Sequence, residues 1–298
     1  MTLVMGVLNV TPDSFSDGGA YADHDAAIAH ALELVESGAD IVDVGGESTR
    51  PGAFPVGVAE EQARVLPVIE QLVERGIVVS VDTTHASTAQ AAVERGAAIV
   101  NDVSGGLGDP RMHEVVASLR TPYILGHWRG SPVTMNELAG YEDFLGEVRS
   151  EIGSRLSGAR AAGVWDSQII IDPGLGFAKQ SQQNWDLLAN LSSIQSLGFP
   201  VMVGASRKRF LAALLSPSAP MVARDLPTAV VSVLASQQGA WAVRVHDVAS
   251  TRIALSALAE CNSAKSDQLG MLAVLPEVSD AARRARTENA EGYFLGLS

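Results

Sequence analysis

The sequence predicts a (β/α)8 barrel, and three observations carry that prediction. Eight short apolar runs recur at 3–8, 40–44, 77–81, 97–100, 122–125, 168–171, 199–203 and 241–245. A longer amphipathic stretch follows each run, as the crossovers of a parallel sheet require. No Gly-x-Gly-x-x-Gly turn follows the first run, and such a turn would favour the alternative, a doubly wound open sheet.

The first run opens the chain at Leu3, and the stretch from Ala26 to Val35 has helical periodicity. That stretch stops at Ser37-Gly38, where glycine suits the left-handed residue after a helix. Similar stops stand at Gly76, Gly96, Gly163, Gly198 and Gly239. The third and sixth runs, Ile77 to Val81 and Ile169 to Ile171, are nearly continuous and rich in β-branched residues. Parallel strands buried on both faces have that composition. The pattern ends at Glu260, because Asn262 to Asp267 is polar. Residues 1–260 therefore read as the barrel and 261–298 as a tail, helical or partly disordered.

The 298 residues are 47% hydrophobic and 18% charged, enough to bury a large core. A net charge of −13 disfavours nucleic acid, which binds basic faces. Lysine occurs only at 179, 208 and 265, so no polylysine patch suits an anionic membrane. Cys261 is the single cysteine, which excludes an internal disulfide and a cysteine-rich metal site. The opening residues lack the basic start of a signal peptide, and no apolar run reaches the ~18–20 residues of a membrane helix. A cytoplasmic protein is expected.

Barrel enzymes carry their chemistry at the C-terminal ends of the strands. Here the runs end in Asn9, Asp43, Asp82, Asn101-Asp102, His127, Asp172, the segment Gly204 to Lys208, and Arg244-Val245-His246. Each has an ordinary reading: Asp82 or Asp172 as a helix cap, His127 as a satisfied wall residue, Arg207 and Arg209 as surface charges. For His127 the wall reading is preferred. Convergence of all eight ends is harder to explain that way, since barrel interiors are mainly apolar. Asp82, Asn101, Asp172 and Lys208 suit the donor-rich edge of a fused nitrogen heterocycle. Asp172 would accept from an amidine-like N–H and an amino group, and Lys208 would donate to a ring carbonyl. Arg50, Arg244, His246 and the helix start that follows offer an anion site.

The motifs resemble those of the dihydropteroate synthases. Met5 to Gly19 is similar to that family's first loop, and Asp43 to Ala53, DVGGESTRPGA, to its second. Val81-Asp82, Asn101 to Gly106, Asp172 to Phe177, Ser206 to Lys208, and Arg244 to His246 follow in the family's order, so the resemblance covers residues 3–260. It implies a transferase of folate biosynthesis that joins 6-hydroxymethyl-7,8-dihydropterin pyrophosphate to 4-aminobenzoate. By resemblance, Asp82, Asn101, Asp172, Gly204 and Lys208 hold the pterin. Arg50, Arg244 and His246 bind the pyrophosphate, with Asn9 positioning Mg2+ on it. Phe15, Thr49, Pro51, Phe177 and Ser206 border the aminobenzoate, and Asp17 faces the site when the first loop closes. The catalytic set implied is Asp82, Asp172, Lys208, Arg50 and Asp17, and a homodimer through outer helices late in the barrel is expected.

Three features depart from the family pattern. Gly126 stands where relatives commonly place methionine, an N-terminal hairpin is missing, and the tail has no counterpart. Gly126 reads either as a backbone requirement before His127 or as open space beside the pocket, available to Trp128 or a water. The open-space reading is preferred. Two other functions share the pocket: a pterin-binding paralogue without synthase activity, in a regulatory or binding role, and a methyltetrahydrofolate-dependent methyltransferase. The presence of Asn9, Thr49, Arg50 and His246 weighs against the paralogue, and Arg50 with Arg244-Val245-His246 against the methyltransferase.

Overall fold

The computed structural model describes residues 1–11, 20–47, 56–130 and 135–263. Eight strands alternate with helices: β1 (Leu3–Asn9), β2 (Ile41–Gly45), β3 (Val79–Asp82), β4 (Ile99–Asp102), β5 (Tyr123–Gly126), β6 (Ile169–Asp172), β7 (Met202–Val203) and β8 (Ala242–Val245). All neighbours pair in parallel, in the order 6-5-4-3-2-1-8-7. A bridge between Ile171 and Val201 links the two ends, with the Ile171 N–H donating to Pro200 O at 2.8 Å. The sheet is a nearly closed barrel, as the strand–helix alternation predicts. Each strand lies within two residues of its apolar run, apart from the late start of β7.

The helices are α1 (Ala20–Glu36), α2 (Val58–Glu74), α3 (Ala86–Glu94), α4 (Met112–Leu119), α5 (Phe144–Ala161), α6 (Ser181–Ala189), α7 (Leu191–Gln195), α8 (Arg209–Ala212), α9 (Asp225–Gln237) and α10 (Val248–Ser263). Glycines end several of them in the left-handed region, for example Gly38 at φ 99° and Gly96 at φ 97°. Two crossovers are broken where the sequence suggests one helix each. Asn190 separates α6 from α7, and its side chain donates back to Asp186 O at 2.8 Å. Pro217 and Pro220 lie between α8 and α9, where missing N–H groups prevent a continuous helix. The last helix runs to Ser263, three residues past the expected end of the barrel. Residues 264–298 of the expected tail lie outside the described residues.

Side chains on a strand alternate between the barrel interior and the helix layer. The interior floor consists of Met5, Ile41, Val78, Ile99, Ile124, Ile170, Met202, Trp241 and Ala242. Outside the strands a larger apolar layer packs them on the helices, with Val42, Val44, Val79, Val81, Val100 and Leu125 among its members. Two residues beyond the floor, the same interior face carries Asp43, Ser80, Asn101, Gly126, Asp172, Gly204 and Arg244. Polar groups therefore lie on top of an apolar plug.

Gly126 corrects the open-space reading. Its φ is not in the left-handed region. A Cβ there would meet the Val103 backbone, with O at 2.4 Å and Cα at 2.5 Å. The room is filled by main chain, and Trp128 packs beside it on Val103, with Met135, Phe177 and Ala178. Close backbone approach is the reason for glycine. We expect Gly126→Ala to destabilise the fold by ~1–3 kcal/mol in urea denaturation. A variant as stable as the wild type would show that β5 and the Val103 backbone separate freely.

Candidate active site

The strand ends enclose a cavity of about 560 Å³, within the usual range for a small-molecule site. Asn9, Asn101, Asp172, Phe177, Gly204, Ser206, Lys208, Arg244 and His246 line it. The structure thus brings together nine of the expected site residues, and Arg207 and Arg209, read as surface charges, lie on the same wall. Asp82 joins them through Arg244, whose Nη2 donates to Asp82 Oδ2 at 2.6 Å. Arg50, Asp17, Phe15, Thr49 and Pro51 lie outside the described residues.

Arg244 is the hub of the floor of this cavity. Its Nε donates to Asp43 Oδ2 at 2.5 Å, and Asn101 Nδ2 donates to the same oxygen at 3.0 Å. Burial pushes the Asp82 carboxyl up, to about 7, with Arg244 opposing and Asp43 adding to the effect. Asp43 Oδ1 and Asn101 Oδ1 are buried without a hydrogen-bond partner among the described residues. Unsatisfied buried acceptors beside a cavity suit a donor-rich ligand. Sequence reasoning noted Asp43 as a strand end but gave it no role. The usable signal was the two-residue step from Ile41 on the interior face.

Lys208 stands on the opposite wall, donating to Leu175 O and lying 4.6 Å from the centre of the Phe177 ring. Burial pulls the ammonium down to about 8, while Asp172 acts to keep the charge. Asp172 also accepts from the Gly174 N–H at 2.8 Å, which fixes its orientation. Before Lys208, Arg207 adopts φ 57°, strained for a residue with a Cβ. Two hydrogen bonds from Arg207 to Asp225, at 2.7 and 2.8 Å, hold it there, so Arg207 is a structural residue and not a loose surface charge. Ser206 Oγ accepts from the His246 N–H at 3.0 Å and stands 2.8 Å from its Nδ1. Strands β7 and β8 are tied at the rim by that pair.

Among the described residues, two places offer candidate metal-ligating atoms. Asn9, at the end of β1, puts a neutral amide into the cavity. Separately, Glu47, Glu61 and His85 hold ligand atoms within 4.8 Å of one another. None of those three lines the cavity, and His85 Nδ1 pairs with Glu61 Oε2 at 2.9 Å.

His127 follows β5 and is fully enclosed. Its Nε2 lies 3.0 Å from Glu151 Oε2, and its Nδ1 lies 2.9 Å from Lys179 Nζ. Burial and the Lys179 charge pull the imidazole from 6.5 to about 3. Burial raises the Glu151 carboxyl, but hydrogen bonds from His127 and Arg129 prevail and lower it from 4.5 to about 2. In acid the unfolded chain takes up these protons before the folded one, so stability falls as pH drops. His127 acts from 6.5 toward about 3 and Glu151 from 4.5 toward about 2. For His127 the slope is at most ~1.4 kcal/mol per pH unit. Urea denaturation at stepped pH should show it, and His127→Gln should flatten the part above pH ~5. An unchanged slope in that variant would exclude the imidazole as its source.

Comparisons with known proteins agree with this geometry. The family described as pterin binding enzyme matches residues 5–246. A dihydropteroate synthase of Mycobacterium leprae is 50% identical over 257 residues, which is 85% of this chain and 90% of that protein. The structure of a Xanthomonas albilineans dihydropteroate synthase with 4-aminobenzoic acid superposes with a TM-score of 0.81 at 43% identity, covering 87% of this chain and 93% of that one. The complex of the Xanthomonas albilineans enzyme with 7,8-dihydropteroate gives 0.78 at 41% identity, with the same coverage. With eight parallel strands, a polar cavity at their ends and identity of this extent, the chain belongs to the pterin binding enzyme family and, within it, to the dihydropteroate synthases.

Proposed function

We propose that the cavity condenses 6-hydroxymethyl-7,8-dihydropterin pyrophosphate with 4-aminobenzoate, giving 7,8-dihydropteroate and pyrophosphate. The observation that carries this reading is the layered floor. Asn101, Asp172 and Lys208 line a space that Gly204 leaves open, with Asp43 and Asp82 bound behind Arg244. A Cβ at Gly204 would stand 3.7 Å from Asp172 Oδ2 and 3.9 Å from Lys208 Nζ, in the room that a flat ring needs. Asp172 and Asn101 accept from the amidine edge of the pterin, and Lys208 donates to its carbonyl.

The bond between the pterin methylene carbon and the pyrophosphate oxygen breaks first, and its electron pair leaves with pyrophosphate. Arg50, Arg244 and His246 receive that anion. Positive charge left on the methylene spreads into the pterin ring, where Asp82 and Asp172 stabilise it. The aminobenzoate nitrogen then forms the new C–N bond and loses a proton. No side-chain nucleophile is needed. Phe177 and Ser206 border the aminobenzoate; Phe15, Thr49 and Pro51, which the family resemblance assigns to the same substrate, and Asp17, which it assigns to the closing first loop, lie outside the described residues. Asn9 offers one neutral oxygen, which fits a magnesium ion that takes its other ligands from pyrophosphate and water. Held there, the ion would neutralise the leaving charge.

Leu226, Val230 and Leu234 recur every fourth residue along α9 and are 73%, 53% and 41% exposed. Ile253 on the neighbouring α10 is 71% exposed. That stripe supports a homodimer through these two helices. Among the described residues no helix is long and apolar enough to cross a membrane, which suits a cytoplasmic enzyme.

The reaction is tested by pyrophosphate release. Release should require both organic substrates and magnesium, and a chain that binds pterin without releasing pyrophosphate would be the regulatory paralogue instead. Lys208→Ala should weaken pterin binding by ~2–4 kcal/mol in calorimetry, and wild-type affinity in a folded variant would remove Lys208 from the site. Val230→Asp should sediment as a monomer with its barrel intact; a dimer that survives would place the interface elsewhere.

A further inference from the structure

Lys179 lies at the edge of the cavity, and the reaction above gives it no part. An ammonium has three N–H donors, and here each has an acceptor. Nζ lies 2.9 Å from His127 Nδ1, 3.0 Å from Gly174 O and 3.1 Å from Phe177 O. His127 Nδ1 accepts only if the ring proton is on Nε2, and Nε2 faces Glu151 Oε2. Glu151 Oε1 in turn accepts from Arg129 Nε at 2.8 Å. Hydrogen bonds donated by Lys179 to His127 and by His127 to Glu151 therefore link the loop after β6, through the barrel wall, to α5.

That loop needs holding. Residues 173–178 form no helix or strand, and Ala178 has φ 47°, a conformation that residues with a Cβ rarely keep without support. Tyr141 Oη donates to Ala178 O at 3.0 Å, on one side of the strained residue. Lys179 grips the loop at Gly174 and at Phe177, on either side of the Gly176 N–H that Asn184 holds and the Leu175 O that Lys208 holds. A Cβ at Gly174 would stand 1.9 Å from His127 O, so the loop already rests on that wall. On its cavity side it presents the Phe177 ring.

We propose that Lys179, oriented by His127 and Glu151, is a positioning residue that sets the Phe177 ring against the aminobenzoate. The inference rests on the assignment of Phe177 to that substrate. Lys208 also donates to Leu175 O in this loop, but its backbone is anchored from the other side, where Arg207 and Asp225 fix the segment that carries it. Loss of the Lys179 clip should therefore spare pterin affinity.

Lys179→Met keeps chain length and removes the donors. It should raise KM for 4-aminobenzoate about tenfold, while the Kd of the pterin pyrophosphate in calorimetry stays within about twofold. His127→Leu removes one acceptor and the link to Glu151. It should shift the same KM by a smaller factor, and the double variant should be no worse than Lys179→Met alone. Hydrogen exchange at the amides of 174–179 should quicken in both variants. A folded Lys179→Met with wild-type KM overturns the proposal, as does an equal loss of pterin affinity, which a general structural role would produce. If Lys179→Met fails to fold, His127→Leu decides alone, and a wild-type KM there overturns the proposal. Phe177→Ala separates the two readings. A raised KM there beside an unchanged one in Lys179→Met sinks the clip and leaves the subsite standing. No change in Phe177→Ala sinks the subsite assignment and the inference with it.

Discussion

Arg244 is the interaction on which the polar half of the barrel depends. Its guanidinium reaches two buried carboxylates from neighbouring strands, Asp43 and Asp82. Two anions this close cannot both remain ionised in an apolar interior without a shared cation, because desolvation and mutual repulsion act in the same direction. Burial pushes the Asp82 carboxyl up even with Arg244 beside it. Arginine suits the position better than lysine, since its planar fork points separate donors at separate acceptors.

The same imbalance explains how the cavity is ready for its reaction. Asp43 and Asn101 each keep a buried oxygen without a described partner, so the floor is poised for donors from a ligand. In the proposed reaction a pterin edge would supply such donors, and a developing cation would satisfy the carboxylates more fully than the neutral ring. Stabilisation that grows along the reaction coordinate is what accelerates the chemical step. In the proposed reaction Arg244 would meet the departing anion as well.

Support for this floor comes from strained loops held by ion pairs and hydrogen bonds. Arg207 keeps a left-handed backbone because Asp225 binds it at two points, and Lys208 follows directly. Ala178 occupies a similar conformation beside Phe177, between Tyr141 and Lys179. In both loops the residue facing the cavity is next to the strained one. Placing rigid supports behind mobile-looking segments is how a barrel keeps its geometry on loops.

Much of this was legible in the sequence, because the signals are local. Apolar runs such as Ile169 to Ile171 have one plausible fate in a parallel sheet, and Gly38 or Gly96 marks a helix end whatever surrounds it. The polar residue closing each run was legible for the same reason, since barrel strands deliver their C-terminal ends to one face. The family motifs added residue roles that no spacing could supply. Gly126 was misread because the Val103 backbone that excludes a side chain comes from another strand end, and no local pattern records that approach. Asp43 went without a role until Arg244, 201 residues later in the chain, was seen to bind it. Lys179 looked like one charge among three lysines until His127, Gly174 and Phe177 closed around it. The sequence by itself determined the strands, the helix ends and the inventory of polar groups, since period, glycine conformation and side-chain chemistry are properties of short segments. Only the tertiary structure decided which of those groups compensate one another, because burial and charge pairing depend on neighbours that the chain brings together from distant positions.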